Sequence, residues 1–447
     1  MKQTEQWSSR LGFILSAAGS AVGLGAIWKF PYVAGVNGGG AFFFLFLVFT
    51  ILFGLPLLLA EFVIGRHTQK NAIQSYKVIA PQTKWHLLGY LGLIANFIIL
   101  SFYSVIGGWI ILYIYKTVAG QLSGLTVEQY QTIFADTIAD PFISLIAHLL
   151  FMLLTIVIVA RGIQNGIERA NKIMMPALFI LFLLLIVRSL TLTNISEGLR
   201  FLFLPDFTKV TAETILAALG QALFTLSLGV STMLTYSSYV PKSESLPRSA
   251  LSIVSMNILI VILAGLAIFP AVFSFGLTPD AGPVLLFEVL PNVFSQLPLG
   301  MFFFFAFLIL FLFAALTSAL SMLEMIVSNL AKGSIILRKK WSWIIGIVIF
   351  IAGIPSALSF GVIEDWKLFG KTFFDLVDYL VSNMIMPIGA LFISVFVPFK
   401  MRKDILIAEL QSGGAFPRGL FKSWFFIIRF IVPAAILLIL LNMLEIW

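Results

Sequence analysis

The sequence predicts an all-α polytopic membrane protein of eleven transmembrane helices, built as a five-plus-five inverted repeat with helices 1 and 6 unwound at the midplane. Its 447 residues are 60% hydrophobic and 11% charged, and runs such as 41–65 and 301–322 meet the roughly 20 apolar residues that a spanning helix requires. Lys and Arg gather in alternate connections. Two segments five spans apart, "GSAVGLGAIWKFP" and "LGQALFTLSLGVSTMLTYSSYV", place small and hydroxyl residues at mid-depth, where lipid satisfies no free backbone group.

The spans read in order as 11–36, 41–66, 86–115, 141–160, 166–190, 212–239, 249–275, 301–330, 342–360, 372–398 and 424–445. Spans 1–5 (11–190) form the first repeat, spans 6–10 (212–398) the second, and 424–445 an extra helix; residues 1–447 make one domain. With the N-terminus inside, the inner segments ("MK…R", "GRHTQK…K…K", "RGIQNGIERANK", "PKSESLPR", "LRKK", "KMRKD…RGLFK") hold about 20 of the 28 Lys and Arg residues. Most acids fall outside, among them Glu128, Asp136, Asp140, Asp280, Glu288, Glu364, Asp365, Asp375 and Asp378. The odd span count then puts the C-terminus outside.

The formal charge of +8 follows from this topology, so the bilayer, not nucleic acid, is the expected partner. The chain opens polar and its first apolar segment runs into the broken helix, so no cleavable signal peptide is expected. With no cysteine and three scattered histidines (His67, His86, His148), thiol chemistry and a His/Cys metal cluster are excluded. No nucleophile–base pair points to an enzyme.

Gly costs a helix interior about 0.8–1.0 kcal/mol relative to Ala, yet span 1 carries Gly19, Gly23 and Gly25. One reading is close helix packing. The other is a break that frees N–H groups at one half-helix and C=O groups at the other, so that one small site holds an anion and a cation without a buried charged side chain. A matching pair of interrupted spans favours the second, and a free amino acid carries both charges.

The strings "GSAVGLGAIWKFPY…NGGGAF", "PLLLAEFVIGR", "ARGIQNGIERANKIMMP", "GQALFTLSLG", "TYSSY" and "AALTSALSMLE" are similar to those of the neurotransmitter:sodium symporter family, bacterial amino-acid transporter branch, whose architecture is the leucine-transporter fold. The resemblance runs over 7–397, and an eleven-span count matches several bacterial members. It implies sodium-coupled symport of a neutral L-amino acid by alternating access in the bacterial cytoplasmic membrane, with a monomer sufficient for transport. A non-transporting amino-acid sensor on the same scaffold and a sodium-independent exchanger stand as alternatives.

Residue by residue, the resemblance implies one Na⁺ site from the carbonyls of Gly19, Val22 and Ala314 and the hydroxyls of Thr317 and Ser318. A second would draw on Ala21, Thr225, a span-7 asparagine for which Asn257 is the nearest candidate, and the substrate carboxylate. Ala26 stands where the family's span-1 asparagine normally completes it, so one or two ions are expected. Around the substrate it implies the Leu24 and Gly25 amides and the Tyr103 hydroxyl for the carboxylate, the Ala21, Phe224 and Thr225 carbonyls for the ammonium, and Ser227 nearby. Gly23 replaces the aspartate of members that take decarboxylated amines, so the substrate brings its own carboxylate. Ile99, Val230, Ser318, Ala319 and Met322 would line the side-chain pocket, and small Val230 beside deformable Met322 suits a bulky apolar or aromatic side chain.

Lys29 and Asp378 match the outer gate, with Lys in place of the usual Arg. At the inner gate the family's arginine matches Thr4 and its acidic partner Lys332, which suggests a reversed pair, Glu5 with Lys332; Trp7 and Tyr239 match the aromatic and hydroxyl parts. Glu61, a carboxylate inside an apolar span, is expected to bond the unwound part of span 6. Gly166 and Pro176 carry the Gly–nine–Pro spacing that the family uses to unwind span 5 locally. Phe46 stands where chloride-dependent members have tyrosine, so chloride is not expected.

Overall fold

Apolar runs of this length satisfy their backbone in hydrocarbon only by closing every hydrogen bond within the segment, and helices result. The computed structural model describes residues 5–192, 195–275, 286–331 and 333–443. Among these, nine helices are long and apolar enough to cross a membrane: Gly40–Thr68, Lys84–Val118, Pro141–Val159, Ile163–Ser189, Leu246–Ser274, Gly300–Ala331, Ile335–Leu358, Phe373–Lys400 and Arg418–Asn442. They are spans 2–5 and 7–11.

Span 1 is split into Arg10–Ala21 and Gly25–Val36, bent by 47°. Ser9 caps its first half, its hydroxyl accepting the Gly12 N–H at 3.0 Å. Span 6 is also split, into Ala212–Thr225 and Thr232–Ser237. Both expected interruptions are therefore present at matching places.

One boundary differs from the sequence reading. Span 9 begins at Ile335, so "LRKK" lies inside the helix and not in a loop. Arg338 is buried there because Glu324 and Glu5 neutralise it, while Lys339 and Lys340 remain exposed at the helix end. Short helices that no hydropathy scan marks, including Val127–Ala139 and Lys403–Gln411, fill the connections.

Span 8 packs on spans 3, 4, 5 and 9 and on both halves of the broken pair. Some glycines serve close packing. A Cβ on Gly108 would lie 2.7 Å from the His148 backbone nitrogen, and one on Gly353 would lie 2.3 Å from the Ser101 carbonyl. These contacts bring spans 3, 4 and 9 together as one wall.

A polar clamp closes the face that carries the N-terminus. Glu409, on Lys403–Gln411, meets Arg66 at 2.8 Å, Lys242 at 2.6 Å and His67 at 3.3 Å. Burial pushes the Glu409 carboxyl upward, but hydrogen bonds and charges from Lys242 and Arg66 outweigh it and hold it below the usual carboxylate range. The clamp's stabilisation is therefore complete above the ordinary glutamate pKa, about 4.3, and is lost as pH falls through the lower folded value. Thermal unfolding of the purified protein should lose stability on acidification below that range, and Glu409→Gln should show a smaller acid-dependent loss.

Candidate functional site

Span 1 loses its winding after Ala21, and side chains from other spans take up the released groups. The Ser20 carbonyl accepts from the Ser318 hydroxyl at 2.9 Å and from Ser227 at 3.0 Å. The Leu24 N–H donates to the Tyr103 hydroxyl at 3.1 Å, and the Gly25 carbonyl accepts from the Gln221 amide at 2.7 Å. None of Gly19, Gly23 and Gly25 adopts a positive φ, so a left-handed turn does not explain them. Close approach does. A Cβ on Gly23 would lie 2.0 Å from Ser318 Oγ and 2.7 Å from the Tyr103 hydroxyl, and one on Gly25 would meet the Phe224 ring at 2.8 Å.

Span 6 breaks differently. Ser227, Gly229 and Ser231 all have positive φ, at 52°, 86° and 59°, a region that side-chain-bearing residues rarely occupy. Glu61 holds this strained stretch from span 2: its carboxylate accepts the Gly229 N–H at 2.8 Å and the Leu234 N–H at 3.2 Å. From span 3, Asn96 donates to the Val230 carbonyl at 2.9 Å and accepts from the Thr232 hydroxyl at 2.9 Å. Freed donors thus meet a carboxylate and a freed acceptor meets an amide.

Between the breaks lies a narrow cavity of about 30 Å³. It brings together Ala21, Gly23, Leu24, Gly25, Ile99, Tyr103, Phe224, Ser227, Val230, Ser318 and Met322, and adds Ser20, Asn96, Thr232 and Met386. Thr225 and Ala319 do not line it, although both are buried. Its polar wall is backbone with Tyr103 and serine hydroxyls; its apolar end is Ile99, Val230 and two methionines. Admitting a large side chain requires the partly exposed Phe224 ring or the flexible methionines to shift.

Part of the first expected sodium set comes together, Thr317 and Ser318 of span 8 meeting Gly19 of span 1. Ser318 Oγ stands 3.3 Å from the Gly19 carbonyl, Thr317 Oγ1 donates to the Ala314 carbonyl at 2.9 Å, and Val22 caps the broken helix. Neutral oxygens gathered at a helix C-terminus suit a hard cation. For the second set, Asn257 Nδ2 points to Thr225 Oγ1 at 3.4 Å, and Asn257 Oδ1 is buried with no partner. That orphaned oxygen fits a cation even though Ala26 supplies none. Among the described residues no group of three or more His, Cys, Asp and Glu residues could hold a metal.

The gates differ from the sequence reading. Lys29 and Asp378 do not form an ion pair: the ammonium sits 4.4 Å from the centre of the Phe224 ring, and Asp378 accepts from the Ser382 hydroxyl at 2.7 Å. On the N-terminal face Glu5 pairs with Arg338 at 2.7 Å, whereas Lys332, with Thr4, lies outside the described residues. Arg338 also pairs with buried Glu324, which accepts from Tyr239 at 2.7 Å, and the Trp7 indole donates to the Tyr236 carbonyl at 2.9 Å. Gly166 begins to explain itself in a wide turn, Ile163–Glu168, where its Cβ would lie 2.1 Å from the Ile158 carbonyl. Pro176 follows inside the helix and leaves a carbonyl one turn back without its donor. Phe46 is fully buried against Phe30.

Sequence reasoning missed Asn96, Gln221, Glu324 and Arg338. Asn96, Gln221 and Glu324 are polar residues in apolar runs, the signal that singled out Glu61, whereas Arg338 lies in the charged string "LRKK" and gave no such signal.

Comparison with known proteins gives a consistent relationship. The profile of the sodium:neurotransmitter symporter family matches residues 4–133 and 127–446. The chain is 59% identical over 441 residues to YhdH of Bacillus subtilis, described as an uncharacterized sodium-dependent transporter, covering 99% of this chain and 98% of the relative. It is 37% identical to an uncharacterized sodium-dependent transporter of Haemophilus influenzae, covering 99% and 98%. A crystal structure of MhsT in complex with L-phenylalanine superimposes with a TM-score of 0.91 at 44% identity, covering 98% of this chain and 99% of that one.

Two substitutions probe the breaks. Gly23→Ala should abolish measurable amino-acid binding by the purified protein while its helix content is retained. Glu61→Gln turns one acceptor into a donor facing an N–H, at a cost of about 1.5–3 kcal/mol, and should lower the thermal unfolding midpoint measured in detergent.

Proposed function

The chain belongs to the sodium:neurotransmitter symporter family, and from that premise we propose that it couples uptake of a neutral, bulky hydrophobic or aromatic L-amino acid to the entry of Na⁺. It is a multi-pass membrane protein of a sodium-dependent transporter family. The observation that carries the finer reading is the bare Gly23 beside Tyr103 and Ser318, where no side-chain carboxylate fits. A substrate bound here has to bring its own. The L-phenylalanine in the complex with MhsT supports an aromatic side chain, and the Ile99, Val230 and Met322 lining agrees with it.

In this reading the Leu24 and Gly25 amides and Tyr103 receive the carboxylate, while the carbonyls of Ala21, Phe224 and Thr225 receive the ammonium. Ile99, Val230, Ala319 and Met322 enclose the side chain. Na⁺ binds Gly19, Val22, Ala314, Thr317 and Ser318 and draws the C-terminal end of the first half of span 1 onto span 8. Ala21, Thr225 and Asn257 take a second ion. Substrate then completes the bridge between spans 1 and 6, Phe224 closes over it with Lys29 on its outer side, and the Glu5–Arg338–Glu324–Tyr239 seal opens as the turn around Gly166 unwinds. Chloride has no role, since Phe46 offers no hydroxyl. The excess of Lys and Arg places the N-terminus in the cytoplasm, and one chain holds the whole path.

Labelled phenylalanine supplied to proteoliposomes tests this. An inward Na⁺ gradient should drive accumulation above the external concentration, and replacing Na⁺ by choline should abolish it. Binding without accumulation would make the protein a sensor. Accumulation indifferent to Na⁺ would make it an exchanger. Either result overturns the proposal.

A further inference from the structure

Asn171 lies on span 5, five residues after Gly166 and five before Pro176, and is fully buried. Its Nδ2 donates to the Ile167 carbonyl at 2.9 Å. Since a carbonyl accepts only from the amide's nitrogen, this bond fixes which end of the side chain faces away. The free end, Oδ1, has no hydrogen-bond partner. It points at Gly19: a Cβ on that glycine would lie 2.8 Å from Asn171 Oδ1 and 3.0 Å from Thr317 Cβ. An unpaired carbonyl oxygen on span 5 and the Thr317 side chain on span 8 therefore both close on span 1 at Gly19.

We propose that Asn171 Oδ1 is a further oxygen ligand of the sodium ion bound by Gly19, Val22, Ala314, Thr317 and Ser318, contributed by span 5. The inference rests on the sodium-coupled reading above and deepens it. Its consequence is mechanical. The other end of the same amide is tied to Ile167, inside the turn Ile163–Glu168, so opening that turn releases the amide and moves a ligand off the ion. Span 5 then senses the ion directly, and the path toward the N-terminal face opens at the ligand that leaves first.

The test measures the Na⁺ concentration that gives half-maximal thermal stabilisation of the purified full chain, with choline holding ionic strength constant. Asn171→Leu keeps the size and removes the oxygen; its midpoint should rise about tenfold, as for loss of an orienting partner at a metal site. Asn171→Asp keeps the shape, adds charge and exchanges the donor to the Ile167 carbonyl for a second oxygen; its midpoint should fall below the wild-type value. Should the leucine variant fail to fold, the aspartate variant decides alone. Midpoints that stay within about twofold of wild type, or that move in the same direction in both variants, overturn the role of Asn171, even where stability without Na⁺ changes. A wild-type protein that Na⁺ does not stabilise would instead sink the sodium site itself, and the inference with it.

Discussion

Hydrocarbon offers a backbone N–H or C=O nothing to bond, and this constraint governs the molecule. Nine spans meet it by staying helical. Spans 1 and 6 break the helix, and several of the freed groups are met by particular side chains brought from elsewhere in the bundle. Glu61 holds the Gly229 and Leu234 amides, Asn96 the Val230 carbonyl, Gln221 the Gly25 carbonyl, and Ser227 and Ser318 the Ser20 carbonyl. Spans 2, 3 and 8 are therefore part of the site although none of them is broken. What remains between the breaks is a small polar wall that a zwitterion complements.

Much of this was legible in the sequence because its causes are local. Apolar length marks spans to within a few residues, and Gly and Ser at mid-depth mark both interruptions. Glu61 announces itself by standing alone in an apolar run. The error at span 9 has the same origin as the successes: "LRKK" reads as water-facing by composition, and only the tertiary pairing of Arg338 with Glu324 and Glu5 buries that arginine. Asn96 and Gln221 were passed over because an uncharged amide in a helix looks like ordinary packing until its partner across the bundle is known. The span-1 glycines were found for a reason that proved incomplete. None has a positive φ, and it is Asn171 and Thr317 at Gly19, Ser318 and Tyr103 at Gly23, and Phe224 at Gly25 that require them to be bare.

The two faces of the site are held by different physics. Toward the N-terminus, a chain of charges from Glu5 through Arg338 to Glu324 and Tyr239 is largely buried, and removing one member leaves the others uncompensated. Toward the opposite face the described residues set the partly exposed Phe224 ring beside the cavity, with the Lys29 ammonium over it. A contact of that kind contributes about 0.5–1 kcal/mol at an exposed position, far less than a buried network. Among the described residues the Lys29–Phe224 contact is thus the weaker of the two, and in the proposed cycle ion and substrate binding together supply the input that opens the buried network.

The central claim is that backbone groups freed in spans 1 and 6 receive both charges of the substrate. It is tested most directly by calorimetric titration of the purified protein, in saturating Na⁺, with L-phenylalanine, with the amine that lacks its carboxylate, and with the acid that lacks its amino group. The account predicts binding of the amino acid alone. Comparable affinity for either truncated molecule would contradict it.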